Sequence, residues 1–189
     1  MEHDLRTRGD ISGALLASEK DVATFFTALS SEELSLRVES AWTALEQLEH
    51  LNSAVGAVAN GFAAPKIVLR FRYGRSKQPG RSYLQLRDDY RARLAAGGRA
   101  SGAFIPKPPD ASQPSAESRR GDQLERWRRR NGRLRTALNT WSESQLDTIQ
   151  MPHPLLGSLT AREMLYFAIY HAEHHVAATK RRLPRFTAS

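Results

Sequence analysis

Two histidines near the carboxyl end of the chain have a spacing that suits metal binding. His171 and His175 lie four residues apart, in a stretch whose apolar residues recur with a helical period. Side chains four residues apart on a helix are neighbours, with Cβ atoms about 5–6 Å apart, so both imidazoles can reach one ion. The pair alone is a weak signal, because histidines on a helix flank are often surface or capping residues. A metal site requires a third ligand from another part of the fold.

Composition narrows the chemistry that this chain can carry. The 189 residues include six histidines and no cysteine, which excludes disulfides, zinc–thiolate sites and a cysteine nucleophile. Any metal must therefore be held by nitrogen and oxygen, with histidines as the leading candidates and carboxylates as a supplement. The sequence contains no Ser/His/Asp arrangement, no phosphate-binding glycine loop and no convincing carboxylate pair.

The helix that carries the histidine pair has clear start and stop signals. Thr160 is a predicted N-cap, and Glu163 three residues later completes a capping box. Pro184 ends the helix after a basic last turn. At about 100° per residue, the pair lies on the flank of the apolar face, whereas His174 points elsewhere.

The rest of the chain predicts an all-α fold, a bundle of about four principal helices. No alternation is strong enough to imply a sheet. Residues 66–73 extend the preceding helix or form a short apolar run, with a strand as the alternative. Short turns are expected at residues 30–33 and from Ser142. Helices are predicted over residues 11–29, from about Ser40 to Phe62, over 82–96 and over 117–138, with the last one following Thr160.

His50 lies on the second long helix, to one side of its apolar stripe. Periodicity alone does not predict that this side chain is buried. An edge position can nevertheless hold a ligand that faces a pocket at one end of a bundle.

A long segment, residues 97–116, joins the second and third principal helices. It is rich in Pro, Gly, Ser and Ala, which predicts a flexible loop. Its apolar residues Phe104, Ile105 and Pro106 favour the alternative that part of it folds down as a lid. The whole chain, residues 1–189, is predicted to form one domain.

Charge is unevenly distributed along the chain. The formal net charge is +8, and residues 66–135 carry 19 Lys and Arg against 6 Asp and Glu. This basic region suggests nucleic-acid binding. The favoured interpretation is a solvated surface, because the arginines spread around several sides of a helix. There is no signal-peptide segment and no apolar run of about 18 residues, so a cytoplasmic location without membrane insertion is expected.

Two segments together resemble the DinB/YfiT-like family (the DinB superfamily) of metal-binding four-helix bundles. AWTALEQLEHLNSAV has a tryptophan eight residues before a histidine near the start of a long helix. HPLLGSLTAREMLYFAIYHAEHH has a His-Pro…Gly turn followed by a helix with a His-x3-His pair. The loop GAFIPKPP also looks like the branch of the family with a proline-rich crossover. The resemblance covers roughly residues 11–182.

The resemblance implies one metal ligand at His50 and two at His171 and His175. Three imidazoles would hold a divalent ion, Zn²⁺ or Ni²⁺, with an open coordination position. His153 and His174 do not match ligand positions: His153 is interpreted as a turn residue, and His174 as a surface residue or one that supports a ligand. His3 lies in a terminus that is expected to fray.

The resemblance also implies metal-activated thiol or water chemistry. The first functional hypothesis is therefore a metal-dependent enzyme of the thiol-S-transferase or hydrolase type that acts on a small molecule, with a low-molecular-weight thiol as a candidate cofactor. Its catalytic residues are unknown. The alternatives are a non-catalytic, metal-binding or stress-associated bundle protein and, less favoured, a nucleic-acid-binding protein. Glu49, Glu173 and Tyr170 are candidates to assist the chemistry, although the favoured interpretation of each is a structural or solvent-facing residue. A homodimer is a further prediction, based on family members that pair and on the apolar residues Phe71, Tyr83 and Phe104.

Overall fold

The computed structural model of the protein describes residues 5–107 and 114–187. His3 and residues 108–113 of the predicted loop lie outside this part. The described chain is mostly helical, with one two-stranded sheet and a single 3₁₀ turn at Gly102–Phe104. Its helices are α1 (Arg8–Thr27), α2 (Ser31–Ser35), α3 (Ala44–Ala63), α4 (Lys66–Tyr73), α5 (Tyr83–Ala95), α6 (Ala116–Leu138), α7 (Glu143–Thr148), α8 (Ala161–Lys180) and α9 (Pro184–Thr187), and its strands are β1 (Gln150–His153) and β2 (Gly157–Thr160).

The long helices pack against one another through buried apolar residues. Helix α3 packs against α6 and α8, and α1 packs against the same two helices. The apolar stripe predicted for α3 is buried from Leu45 to Phe62, as its spacing indicates. The buried apolar residues form one connected cluster. The single-domain prediction for residues 1–189 extends beyond the described residues and stays a prediction.

Capping boxes define where the two site-bearing helices begin. Thr160 accepts a hydrogen bond from the Glu163 N–H, and the Glu163 carboxylate accepts one from the Thr160 N–H, which confirms the predicted start of α8. Thr43 and Glu46 make the same pair of bonds. Helix α3 therefore begins at Ala44 and not near Ser40.

Residues 66–73 form the separate helix α4, so the strand alternative for this segment is wrong. The break between α3 and α4 falls at Ala64 and Pro65, whose backbones are extended or close to extended. A proline has no N–H to donate to the preceding turn, which favours ending one helix and starting another here.

A short hairpin before α8 is absent from the sequence prediction. Strands β1 and β2 pair antiparallel, with Gln150 opposite Thr160 and His153 opposite Gly157. Each strand has four residues and β1 contains a proline, so no alternation long enough to signal a sheet exists. Gly157 has a φ of 75°, which a glycine adopts without strain. The hairpin places His153 close to α5 and α8.

Several arginines of the basic middle region are engaged inside the fold. Arg120 donates to the carbonyl oxygens of Thr27 and Leu29 at the end of α1. Arg135 forms an ion pair with Glu19, with 3.0 Å between Nη2 and Oε2. These contacts give structural roles to part of the local positive charge.

No helix within residues 5–107 and 114–187 combines the length and the apolar character that crossing a membrane requires.

Candidate metal centre

Helices α3 and α8 bring three histidines together. His50 comes from α3, and His171 and His175 come from α8; their exposed fractions are 5%, 4% and 8%. The Nε2 atom of His171 lies 3.0 Å from the Nε2 atom of His50 and 3.0 Å from that of His175. All three candidate ligand atoms lie within 4.8 Å of one another. The two segments singled out in the sequence therefore meet in space.

The burial of His50 depends on the chain that follows α5. The 3₁₀ turn Gly102–Phe104 packs on α3, and the His50 Nδ1–H donates to the Phe104 carbonyl oxygen at 2.7 Å. The Trp42 ring lies against the His50 ring, with 5.0 Å between centroids. This contact agrees with the alternative that part of the 97–116 segment folds down as a lid.

Hydrogen bonds orient two of the three imidazoles. The acceptor at the His50 Nδ1 is a carbonyl, so that nitrogen carries the hydrogen, and the unprotonated Nε2 atom directs its lone pair at the Nε2 atom of His171. On His175 the Nδ1–H donates to the side-chain oxygen of Gln47, which leaves its Nε2 in the same state. Such partners orient metal-binding histidines in known sites.

Burial favours the neutral form of the three imidazoles. Burial lowers the pKa of His50, although its bond to Phe104 opposes the shift. Burial, followed by the neighbouring imidazoles, lowers the pKa values of His171 and His175 well below the ordinary value. Neutral imidazole is the form that coordinates a metal ion.

The geometry of the cluster fits a divalent ion. A tetrahedral zinc ion with Zn–N bonds of about 2.0–2.1 Å holds its nitrogen ligands about 3.3 Å apart. The two Nε2–Nε2 distances of 3.0 Å are close to this separation. Three nitrogen donors, two of them oriented by hydrogen bonds, could therefore hold a metal ion.

A family model of the DinB superfamily matches residues 14–178, which is most of the chain. The chain belongs to the DinB superfamily. This confirms the resemblance inferred from the two histidine segments and the loop between them. Neither the curated proteins nor the solved structures include a significant match.

The other candidate residues of this DinB-superfamily protein are not members of the described three-histidine cluster. Glu49 approaches Arg119 at 3.9 Å, and Glu173 accepts a hydrogen bond from the Tyr83 hydroxyl. The Tyr170 hydroxyl accepts one from Arg91. These contacts give all three candidates structural partners. His174 is partly buried on α8 and is not part of the described three-histidine cluster.

A cavity of about 500 Å³ adjoins the cluster, and His50 and His171 form part of its lining. It is large enough for a small molecule. The sequence could not reveal it, because its walls come from helices α3, α4, α5 and α8, from the β1 hairpin and from Phe104. Its apolar lining includes Ala54, Val58, Val68, Leu69, Met151, Leu155, Met164 and Phe167.

Proposed function

We propose that this DinB-superfamily protein is a divalent-metal-dependent enzyme that acts on a small molecule. The observation that carries the proposal is that three imidazole rings bring their Nε2 atoms together beside a largely apolar cavity. The proposed ligands are His50, His171 and His175, with Zn²⁺ or Ni²⁺ as the ion. The arrangement leaves space for a substrate next to the ligand set.

The chain's own residues have separate roles in this proposal. The three histidines supply the nitrogen donors, while Phe104 and Gln47 hold two of the rings in orientation. The apolar cavity wall excludes water from a bound molecule. When bound, a divalent ion supplies a Lewis acid that lowers the pKa of a coordinated water or thiol towards neutrality.

The proposed reaction class is thiol S-transfer or hydrolysis. The chain has no cysteine, so a thiol that takes part must be a separate low-molecular-weight molecule. We also infer that α1, α3, α6 and α8 form the four-helix bundle, with the crossover between α3 and α6. The support is that α1 and α3 each pack against both α6 and α8.

A non-catalytic, metal-binding protein is the second candidate. It is favoured by one observation: no Asp or Glu is among the residues that line the cavity in the described part of the chain. General acid–base catalysis by a carboxylate in the cavity would need such a residue.

Turnover before and after removal of metal separates the two candidates. Purified protein is stripped with a chelator, reloaded with Zn²⁺ or Ni²⁺, and assayed with a small thiol plus an aryl halide, and separately with an aryl ester. If the protein is a metal-dependent enzyme, turnover is lost when the metal is stripped and returns when the ion is added back. Binding of about one equivalent of metal, without turnover in either assay, would favour the non-catalytic candidate.

Replacing Gln47 with leucine is expected to weaken metal binding about 10–100-fold, the usual cost of removing a hydrogen-bond partner of a ligand. The change removes the acceptor for the His175 Nδ1–H and frees the ring to turn. Competition with a chromophoric chelator measures the affinity. The control Gln47→Glu keeps an acceptor at this position and should retain the affinity; equal losses in both variants would contradict the orienting role.

The homodimer and the cytoplasmic location stay predictions. Of the three residues that suggested a dimer, Phe71 is 95% exposed, whereas Tyr83 is buried and Phe104 lies against His50. An interface through α4 would therefore use Phe71 and its exposed neighbours Ile67 and Val68. Light scattering on the purified protein measures its mass in solution.

A further inference from the structure

The cavity beside the three-histidine cluster is lined by two buried polar side chains that the proposed metal site does not use. Tyr90 from α5 and His153 from β1 are both buried, and both line the cavity. Their ring centroids lie 6.3 Å apart, so both can contact one small ligand. Most of the remaining lining is apolar.

The hairpin turn determines which nitrogen of His153 carries the hydrogen. The backbone N–H groups of Leu155 and Leu156 donate to its Nδ1 atom at 3.2 and 3.1 Å. A nitrogen that accepts two hydrogen bonds cannot carry a hydrogen, so the neutral ring has its hydrogen on Nε2. Burial, together with the positive charge of Arg81, lowers the pKa of His153 to about 4. His153 is thus a neutral donor of defined tautomer.

Tyr90 supplies a second donor. A phenol hydroxyl carries its hydrogen at neutral pH. The Tyr90 ring makes edge contacts with Phe167, Tyr170 and His171. No hydrogen bond joins the Tyr90 hydroxyl or the His153 Nε2–H to another residue within 5–107 and 114–187.

Both donors reach open space. In the described part of the chain, the polar side-chain atoms that are sealed from solvent and lack a partner belong to Asn52, Arg135 and Arg182. The Tyr90 hydroxyl and the His153 Nε2 atom also lack a partner among the described residues, but they are not in this sealed group. Both atoms are therefore accessible to solvent. Each must therefore contact free volume, and the cavity is the free volume that both residues line.

The two donors lie close to the histidine cluster. The His153 ring packs edge-on against Phe167, with 4.2 Å between centroids, and Phe167 stacks on His171 at 4.7 Å. The centroids of Tyr90 and His171 are 6.1 Å apart. A polar group bound by Tyr90 and His153 would therefore lie within a few ångströms of the proposed metal ligands.

We propose that Tyr90 and His153 bind the carbonyl oxygen of a largely apolar small molecule and position it beside His50 and His171. This inference rests on the proposed function and names its substrate class. The cavity offers an apolar wall and hydrogen-bond donors, and none of its described lining residues is acidic. A ketone, ester or amide with an apolar body satisfies the donors, whereas an ammonium compound would find no anionic partner.

Two fluorinated probes of similar shape test the inference. The probes are 4-fluoroacetophenone, which has a carbonyl oxygen, and 1-ethyl-4-fluorobenzene, which has none. Their affinities for the full chain are measured by fluorine NMR titration, and bound metal is quantified in the same samples. Tyr90→Phe removes only the hydroxyl. His153→Asn keeps an oxygen for the Leu155 and Leu156 N–H groups but removes the Nε2–H.

Each variant is expected to weaken binding of the ketone about 3–10-fold, the usual range for one lost hydrogen bond, and to leave binding of the hydrocarbon unchanged. Tyr83→Phe is the matched control, because the Tyr83 hydroxyl bonds to Glu173 and is not part of the cavity lining. This variant should bind both probes as the wild type does.

Three results would overturn the inference. They are an unchanged affinity for the ketone in both variants, an equal loss for both probes, and no binding of either probe by the wild type. If metal is retained while the variants lose no ketone affinity, this inference fails and the metal site stands. If no metal binds but the ketone preference depends on both residues, the proposed function fails and the binding site is supported.

Discussion

Replacing His171 with alanine is expected to lower the affinity for Zn²⁺ more than about 100-fold. Loss of a residue that only hydrogen-bonds to a metal ligand already costs about 10–100-fold, and His171→Ala removes a ligand itself. The effect should be the largest of any single change at the site. The Nε2 atom of His171 is the central one, 3.0 Å from the Nε2 atoms of His50 and His175. Its removal leaves two protein ligands, fewer than the three or four that zinc uses in its usual protein sites.

Elemental analysis after metal loading and desalting measures this effect. The wild type should retain about one equivalent and His171→Ala less than a tenth. His174→Ala is the matched control, because it removes a histidine from the same helix that lies outside the described cluster. Circular dichroism checks that each variant is folded. Less than a tenth of an equivalent in the wild type, or equal retention by His171→Ala and the wild type, would refute the assignment.

His153 is expected to make the folded state sensitive to acid. Its pKa is lowered from 6.5 to about 4, first by burial and then by Arg81, so the folded state disfavours the protonated ring. Between pH 6.5 and pH 4 the unfolded chain takes up a proton that the folded protein does not. The stabilisation is therefore present above pH 6.5 and lost as the pH falls to 4, and it amounts to about 3 kcal/mol.

His153→Asn removes this titration and keeps an acceptor for the turn. Urea denaturation under chelator at pH 7.5 and pH 4 gives the free energy of unfolding of each protein. The wild type should lose about 3 kcal/mol more than the variant between the two values, because the other buried histidines contribute equally to both. Equal losses would mean that His153 is not held neutral by its surroundings.

Local signals in the sequence were sufficient for most of the helical framework. The capping box of Thr160 and Glu163 marks the start of α8 because it depends only on residues three apart. The four-residue spacing of His171 and His175 likewise predicts neighbouring side chains on one helix. Both features are determined within one turn, so no knowledge of distant contacts is required.

The burial of His50 could not be predicted from its own helix. The residue lies off the apolar stripe of α3, and its burial comes from Trp42 and from Phe104, which is 54 residues further along the chain. Periodicity describes one helix face and carries no information about a loop that folds over its edge. The family resemblance supplied this residue where the pattern could not.

His153 shows the same limit. The sequence indicated a turn residue, and its Nδ1 atom does accept hydrogen bonds from the turn. Its place beside Phe167 and Tyr90 follows only from the hairpin, which was too short to predict. Pro152 and Pro154 flank His153 and restrict its backbone, and this pattern is a sequence signal that could have pointed to His153.

X-ray absorption spectroscopy of the zinc-loaded protein tests the central claim most directly. We predict a first coordination shell with three imidazole nitrogens at about 2.0–2.1 Å, and one fewer imidazole in His50→Ala. The His50 variant matters most, because only that ligand comes from α3. A zinc ion bound with one imidazole or none, or a spectrum that does not change in His50→Ala, would contradict a shared site between α3 and α8.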